Sequence, residues 1–156
     1  MSHNKGHLSK FATIIANEPD IFDRANDKEE VMKVCTENNL PCPKTLFNIA
    51  STVDVIASGI VFPIIIKPKS MFGARGFHIF HNASELKEYV DANAIDLSTY
   101  VVQECIPIDS EVMAGNVYID RNGEVKSSFL YVCKHLYPED GGTSTMNVLI
   151  DRQDCH

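Results

Sequence analysis

Phe62-Pro-Ile-Ile-Ile-Lys67-Pro-Lys69-Ser70-Met71-Phe72-Gly73-Ala74-Arg75-Gly76-Phe77 joins a short apolar run to a basic, glycine-containing loop. Apolar alternation resumes at Phe77-His-Ile-Phe80, so the stretch reads as strand, cationic loop, strand. Lys67, Lys69 and Arg75 supply positive charge. Gly73 and Gly76 leave backbone N–H groups accessible, which together with the charge is what a loop needs to close over phosphates. A surface hairpin with scattered basic residues has the same composition. The spacing is not the GxxxxGK[ST] of a P-loop, so the residues alone leave both readings open.

Upstream, Asp27 is placed to cap a helix from Lys28 to about Asn38, with Glu30 as capping-box partner and Val31, Val34 and Cys35 on the apolar face. Leu40-Pro-Cys-Pro43 is a rigid connector, because each proline disfavours helix in the residue before it. It leads into a short strand at Lys44–Asn48 and a helix around Ser51 to Ala57 that stops at Ser58-Gly59. The consecutive isoleucines predict a strand over Pro63–Lys67 buried on both faces. The first ten residues read as disordered or lightly ordered, and Phe11–Phe22 as a short helix or irregular segment.

Downstream come a strand over Gly76–Phe80, a helix over Glu85–Val90 capped by Asn82 or Ser84, a loop from Asn93 to Ser98 and a strand over Tyr100–Glu104. The last third reads as a strand over Asp109–Ile119, a hairpin turn at Asn122-Gly123 and a return strand over Glu124–Cys133. A loop over His135–Gly142 and a final strand over Thr143–Ile150 complete it. The sum is an α+β protein with a mostly antiparallel sheet, about six or seven strands and about three helices.

The chain of 156 residues is long enough for one core, or for two small lobes sharing one. Its net charge of -7 excludes a general nucleic-acid binder, which wants a basic stripe. A nucleotide needs only local positive charge, and here that charge lies at residues 67–75. No apolar run approaches the ~20 residues that cross a bilayer, and no basic segment followed by an apolar one marks a secretory signal. Cys35, Cys42, Cys105, Cys133 and Cys155 fit neither a zinc pattern nor a disulfide framework, so they read as thiols of a cytoplasmic protein. The terminal pair Cys155-His156 is too isolated to make a metal site.

Lys67 ends a buried strand, which packs its stem and aims its ammonium beyond the strand. Glu104 and Glu111 are carboxylates that can bind a sugar diol or accept from a base amino group, although strand-edge carboxylates are usually solvated. His78 and His81 project to opposite faces of their strand, which disfavours a shared metal. Asp140-Gly-Gly-Thr-Ser-Thr145 reads as an anion-holding nest or as a plain glycine turn.

Taken in order, these segments resemble the ATP-grasp superfamily, and within it the branch related to the large chain of carbamoyl-phosphate synthetase. The resemblance runs from about Asp27 to the end. It rests on Asp27-Lys28 opening a helix, Leu40-Pro-Cys-Pro-Lys-Thr45, Phe62-Pro-Ile-Ile-Ile-Lys67-Pro, Gly73-Ala-Arg-Gly76, the helix start at Asn82, and Gln103-Glu104-Cys-Ile-Pro107 with Glu111. It implies an N-terminal tail over 1–26, an ATP-grasp small lobe over 27–105 with its phosphate loop at 68–76, and an incomplete large lobe over 106–156. It implies that Lys67 reaches the phosphates, and that Lys69 and the loop from Ser70 through Gly73, Arg75 and Gly76 fold over them. Glu104 with the backbone of Cys105 and Ile106 would read adenine, and Glu111 would hold the ribose hydroxyls.

The cofactors so implied are ATP and Mg2+, and the chemistry is carboxylate activation through an acylphosphate. The magnesium carboxylates of the family follow later in its pattern and have no counterpart before His156. The expectation is therefore an ATP-binding fragment of an ATP-dependent ligase, itself binding weakly and inactive alone. Its partners would be the remaining domains of the parent and a carboxylate substrate, with neither nucleic acid nor membrane. A non-catalytic structural domain retaining the fold, and a nucleotidyl- or phosphotransferase with a similar cationic hairpin, are the rival readings.

Overall fold

The computed structural model describes residues 2–71, 75–107, 112–137 and 143–150. Gly73, Glu111, residues 138–142 and the terminal Cys155-His156 lie outside the described residues. The chain divides into two compact units, Met1–Cys105 and Ile106–His156.

The first unit opens with a 3-10 turn, Ser2–Asn4, and helices α1 (Lys5–Leu8) and α2 (Pro19–Asn26). Residues 2–8 are thus helical where the composition predicts disorder or light order. The reason is tertiary: His3 meets Asp23 at 2.8 Å and Lys5 pairs with Glu18, tying the opening turns to α2 and its N-cap. Pro19 starts α2 at a position where its missing N–H costs nothing.

Helix α3 (Lys28–Glu37) is capped by the Asp27 carboxylate, which accepts from the N–H groups of Glu29 at 2.8 Å and Glu30 at 3.2 Å. Glu30 does not return the capping-box bond; it pairs with Lys33 at 2.8 Å. Helix α4 (Thr52–Ala57) does carry a reciprocal box between Ser51 and Asp54. Those bonds from Ser51 and Ala50 hold the Asp54 carboxyl below its ordinary pKa. Helix α5 (Ala83–Ala92) is capped by Asn82, which accepts from the Glu85 N–H at 3.0 Å.

A four-stranded antiparallel sheet runs in the order β1 (Thr45–Leu46), β4 (Tyr100–Glu104), β2 (Ile64–Pro68), β3 (His78–Phe80). Strand β1 is shorter than the expected Lys44–Asn48, being followed closely by Asn48 at φ 59. In β2, Ile64 and Ile66 are fully buried while Ile65 and Lys67 are half-buried. The expected two-sided burial is therefore complete on the face that α4 and α5 cover and partial for β2 on the other. That face holds the core: Ile64, Ile66, Phe80 and Val102 pack with Val55, Ile60, Leu86 and Leu97.

The second unit is an antiparallel meander, β5 (Val112–Ile119), β6 (Val125–Tyr137) and β7 (Thr143–Ile150). Gly123 makes the β5–β6 turn at φ 82, a conformation that favours glycine. Strand β6 continues past the expected stop at Cys133, because pairing with β7 carries it to Tyr137 through register shifts beside His135. Among the described residues there are five α-helices, two more than the sequence pattern predicts, and seven strands. None of the helices is long and apolar enough to cross a membrane.

Candidate functional site

Strand register sorts the side chains of the first sheet. Ile65 lies opposite Gln103, Lys67 opposite Val101 and Thr45 opposite Gln103. Paired residues share a face and alternate residues switch face. Ile65, Lys67, Val101, Gln103 and Thr45 therefore stand together on the face away from the core.

Lys67 is half-buried there, and among the described residues its ammonium has no hydrogen-bond or ion-pair partner. Burial, and secondly the charge of Lys28, push its pKa below the ordinary value of 10.5. A desolvated cation beside another cation is unfavourable in the absence of an anion. Such a group is prepared for a negatively charged ligand.

Lys28, which the sequence reading placed only at the opening of a helix, reaches the same loop. Its ammonium donates to the carbonyl oxygens of Pro68 at 3.2 Å, Lys69 at 3.3 Å and Met71 at 2.6 Å. Its N–H also donates to the Lys69 carbonyl at 3.0 Å. All three ammonium protons thus organise the entry of the loop. A signal was present: a cation in the first turn of a helix opposes the macrodipole, which favours Asp and Glu there.

The other predicted loop residues fall into different places. Lys69 follows the end of β2 and pairs with the buried carboxylate of Glu29. Ser70 and Arg75 are exposed. Gly76 has φ 70, and a Cβ there would stand 2.8 Å from Pro68 Cγ, so only glycine lets the loop close back on β2. Beyond it, His78 Nε2 meets the Tyr89 hydroxyl at 2.5 Å on the core face. Burial, and secondly Tyr100, raise the pKa of that hydroxyl.

Across the sheet, Glu104 lies opposite Ile64, on the core face. Its Oε1 accepts from the Lys44 N–H at 2.8 Å, and its own N–H donates to the Lys44 carbonyl at 2.9 Å. The carboxylate therefore clamps the proline-rich connector to β4. The Cys105 N–H is likewise engaged, donating to the Pro63 carbonyl at 3.0 Å. Ile106 is exposed.

The neighbour that faces Lys67's side of the sheet is Gln103. It is 1% exposed, and its Nε2 donates to Thr45 Oγ1 at 2.8 Å, while Thr45 Oγ1 donates to the Pro43 carbonyl at 2.8 Å. The Oε1 of Gln103 is buried without a hydrogen-bond partner among the described residues. A buried acceptor left unmade is costly, and native chains keep few of them. The strand alternation of Tyr100–Glu104 could have singled out Gln103, since residues 101 and 103 must share a face.

A family model described as the carbamoyl-phosphate synthase L chain, ATP binding domain, matches residues 23–111. The carbamoyl phosphate synthase large chain of Kocuria rhizophila is 35% identical over 89 residues, covering 54% of this chain and 8% of that one. The large chain of Corynebacterium glutamicum is 30% identical over 90 residues, covering 55% and 8%. This chain thus spans about 8% of the length of these curated relatives. Among solved structures, the L-amino acid ligase from Bacillus licheniformis superimposes with a TM-score of 0.58 over 84% of this chain and 28% of that one, at 16% identity, a likeness of fold. Since the family match covers more than half of the 156 residues, the chain belongs to the carbamoyl-phosphate synthase L chain ATP-binding domain family and has the α+β ATP-grasp fold.

Proposed function

We propose that this chain is the ATP-binding part of an ATP-dependent ligase, and that its phosphate site is built on Lys67 and Lys28. The observation that carries the reading is the half-buried Lys67 ammonium, without a partner among the described residues and lowered in pKa by burial and by Lys28. A nucleotide triphosphate supplies the missing anion. The orphaned Gln103 Oε1 on the same sheet face fits the other end of the ligand, as an acceptor for the amino group of adenine.

In this reading Lys67 contacts the phosphates directly and Lys28 shapes the loop entry while adding charge. The loop residues Ser70, Gly73, Arg75 and Gly76 close over the phosphates. The main chain of Glu104, Cys105 and Ile106 borders the base, with Glu104's side chain fixing the connector. Glu111 takes the ribose hydroxyls, a role that rests on the family pattern. Bound ATP supplies a γ-phosphoryl group that activates a carboxylate as an acylphosphate for attack by a nucleophile, and the chain's own residues position it and neutralise its charge. Magnesium accompanies the nucleotide, and among the described residues no group of three or more His, Cys, Asp or Glu is placed to hold it. A cytoplasmic setting belongs to the same reading, since Cys35, Cys42, Cys105 and Cys133 are not joined in disulfides.

Calorimetric titration with magnesium-ATP tests the proposal. The wild-type chain is expected to bind, and Lys67→Ala to lose at least about tenfold in affinity with an unchanged circular dichroism spectrum. Equal affinities would remove Lys67 from the site.

A further inference from the structure

Lys69 sits next but one to Lys67 and has the same charge, yet its surroundings differ. Its side chain is 24% exposed and pairs with Oε2 of Glu29, whose own side chain is 8% exposed. Glu29 Oε1 accepts from the Asn48 N–H at 3.3 Å and lies 4.0 Å from Lys33 Nζ. The Asp96 carboxyl is held below its ordinary pKa first by the Ser98 hydroxyl and N–H, and further by the charge of Lys69. Lys69 is therefore paired with a carboxylate, whereas Lys67 has none among the described residues.

The backbone of Lys69 is fixed as firmly. Its N–H donates to the Thr99 carbonyl at 3.0 Å, and its carbonyl accepts from the Lys28 N–H at 3.0 Å. Moving the ammonium to a phosphate would leave Glu29 as a buried carboxylate stripped of its closest cation, a strongly unfavourable state.

We propose that Glu29 is a positioning residue that cancels the charge of Lys69 and keeps it off the nucleotide phosphates. The inference rests on the nucleotide reading above and revises the expectation that Lys69 is a phosphate ligand. Because Glu29 follows Lys28 directly, the same pair locks the first turn of α3 against the loop entry. The phosphates then contact Lys67 and feel the charge of Lys28, whose protons stay on the loop carbonyls, with Lys69 electrically silent.

Lysine acetylation by acetic anhydride, read by mass spectrometry with and without magnesium-ATP, tests this in the wild type and in Glu29→Gln. In the wild type, Lys69 is expected to react slowly in both conditions, while Lys67 becomes protected by magnesium-ATP. In Glu29→Gln, Lys69 is expected to become reactive without nucleotide and protected with it. Affinity for magnesium-ATP would then tighten by about fivefold, with adenosine affinity unchanged. A merely structural Glu29 would weaken both ligands alike, so the split between ATP and adenosine separates the roles. Fast wild-type acetylation of Lys69, or its protection by magnesium-ATP in the wild type, would overturn the proposal. If magnesium-ATP protects no lysine at all, the nucleotide reading fails, while the reactivity of Lys69 in wild type against Glu29→Gln still decides the pairing.

Discussion

The ammonium of Lys28 stands 2.6 Å from the carbonyl oxygen of Met71, 43 positions further along the chain. That bond, with those to Pro68 and Lys69, ties the start of a helix to the loop that leaves β2. It also brings a second cation to Lys67. The arrangement couples loop shape to the charge beside Lys67, and its consequences can be measured.

Lys67 has a lowered pKa in the folded chain and the ordinary value of 10.5 when unfolded. Between those two values the unfolded state binds more protons, so stability rises with pH across that window. Below the folded value the cost of the buried charge is fully present. Lys67→Met is therefore expected to melt higher than wild type at pH 7, by about 2 °C. The gap should shrink as pH rises toward 10.5. An equal or lower melting temperature at pH 7 would show that the charge carries no penalty.

Gln103→Leu removes an orphaned acceptor and one hydrogen bond to Thr45 together. Stability in urea is expected to stay within about 1 kcal/mol of wild type. ATP affinity should fall by about tenfold, because the amino group of adenine loses its acceptor. Inosine triphosphate, which lacks that amino group, should be much less affected. Equal losses for the two nucleotides would take Gln103 out of base recognition.

Gly76→Ala places a methyl group 2.8 Å from Pro68 Cγ, at a residue with φ 70. Backbone strain alone costs about 1–2 kcal/mol for a non-glycine residue in this region, and the contact adds to it. A loss of about 2–3 kcal/mol in urea unfolding is expected. A loss below about 0.5 kcal/mol would mean that Pro68 and the loop shift to accommodate the methyl group.

Much of the architecture is written in local patterns. The caps at Asp27, Ser51 and Asn82 follow from short polar side chains ahead of apolar-periodic runs. Strands β2 and β4 follow from runs of β-branched residues, and the β5–β6 hairpin from Asn122-Gly123. These features depend on neighbours a few residues apart, so composition and spacing determine them. Lys67 is equally legible, since a lysine ending a buried strand must send its ammonium outward.

What only the tertiary structure decided is which polar groups are satisfied. Lys69 and Lys67 look alike in the sequence, but Glu29 reaches only Lys69. Glu104 and Gln103 are adjacent, but strand register turns one toward the core side, where Lys44 engages it, and the other toward Lys67's face. The N-terminal turns are ordered by His3–Asp23 and Lys5–Glu18, contacts that span a loop. An ion pair or an orphaned acceptor depends on the path of the chain between distant residues. Local propensity carries no record of that path, so the amino-acid order located the basic loop while the packing decided which of Lys67 and Lys69 is paired.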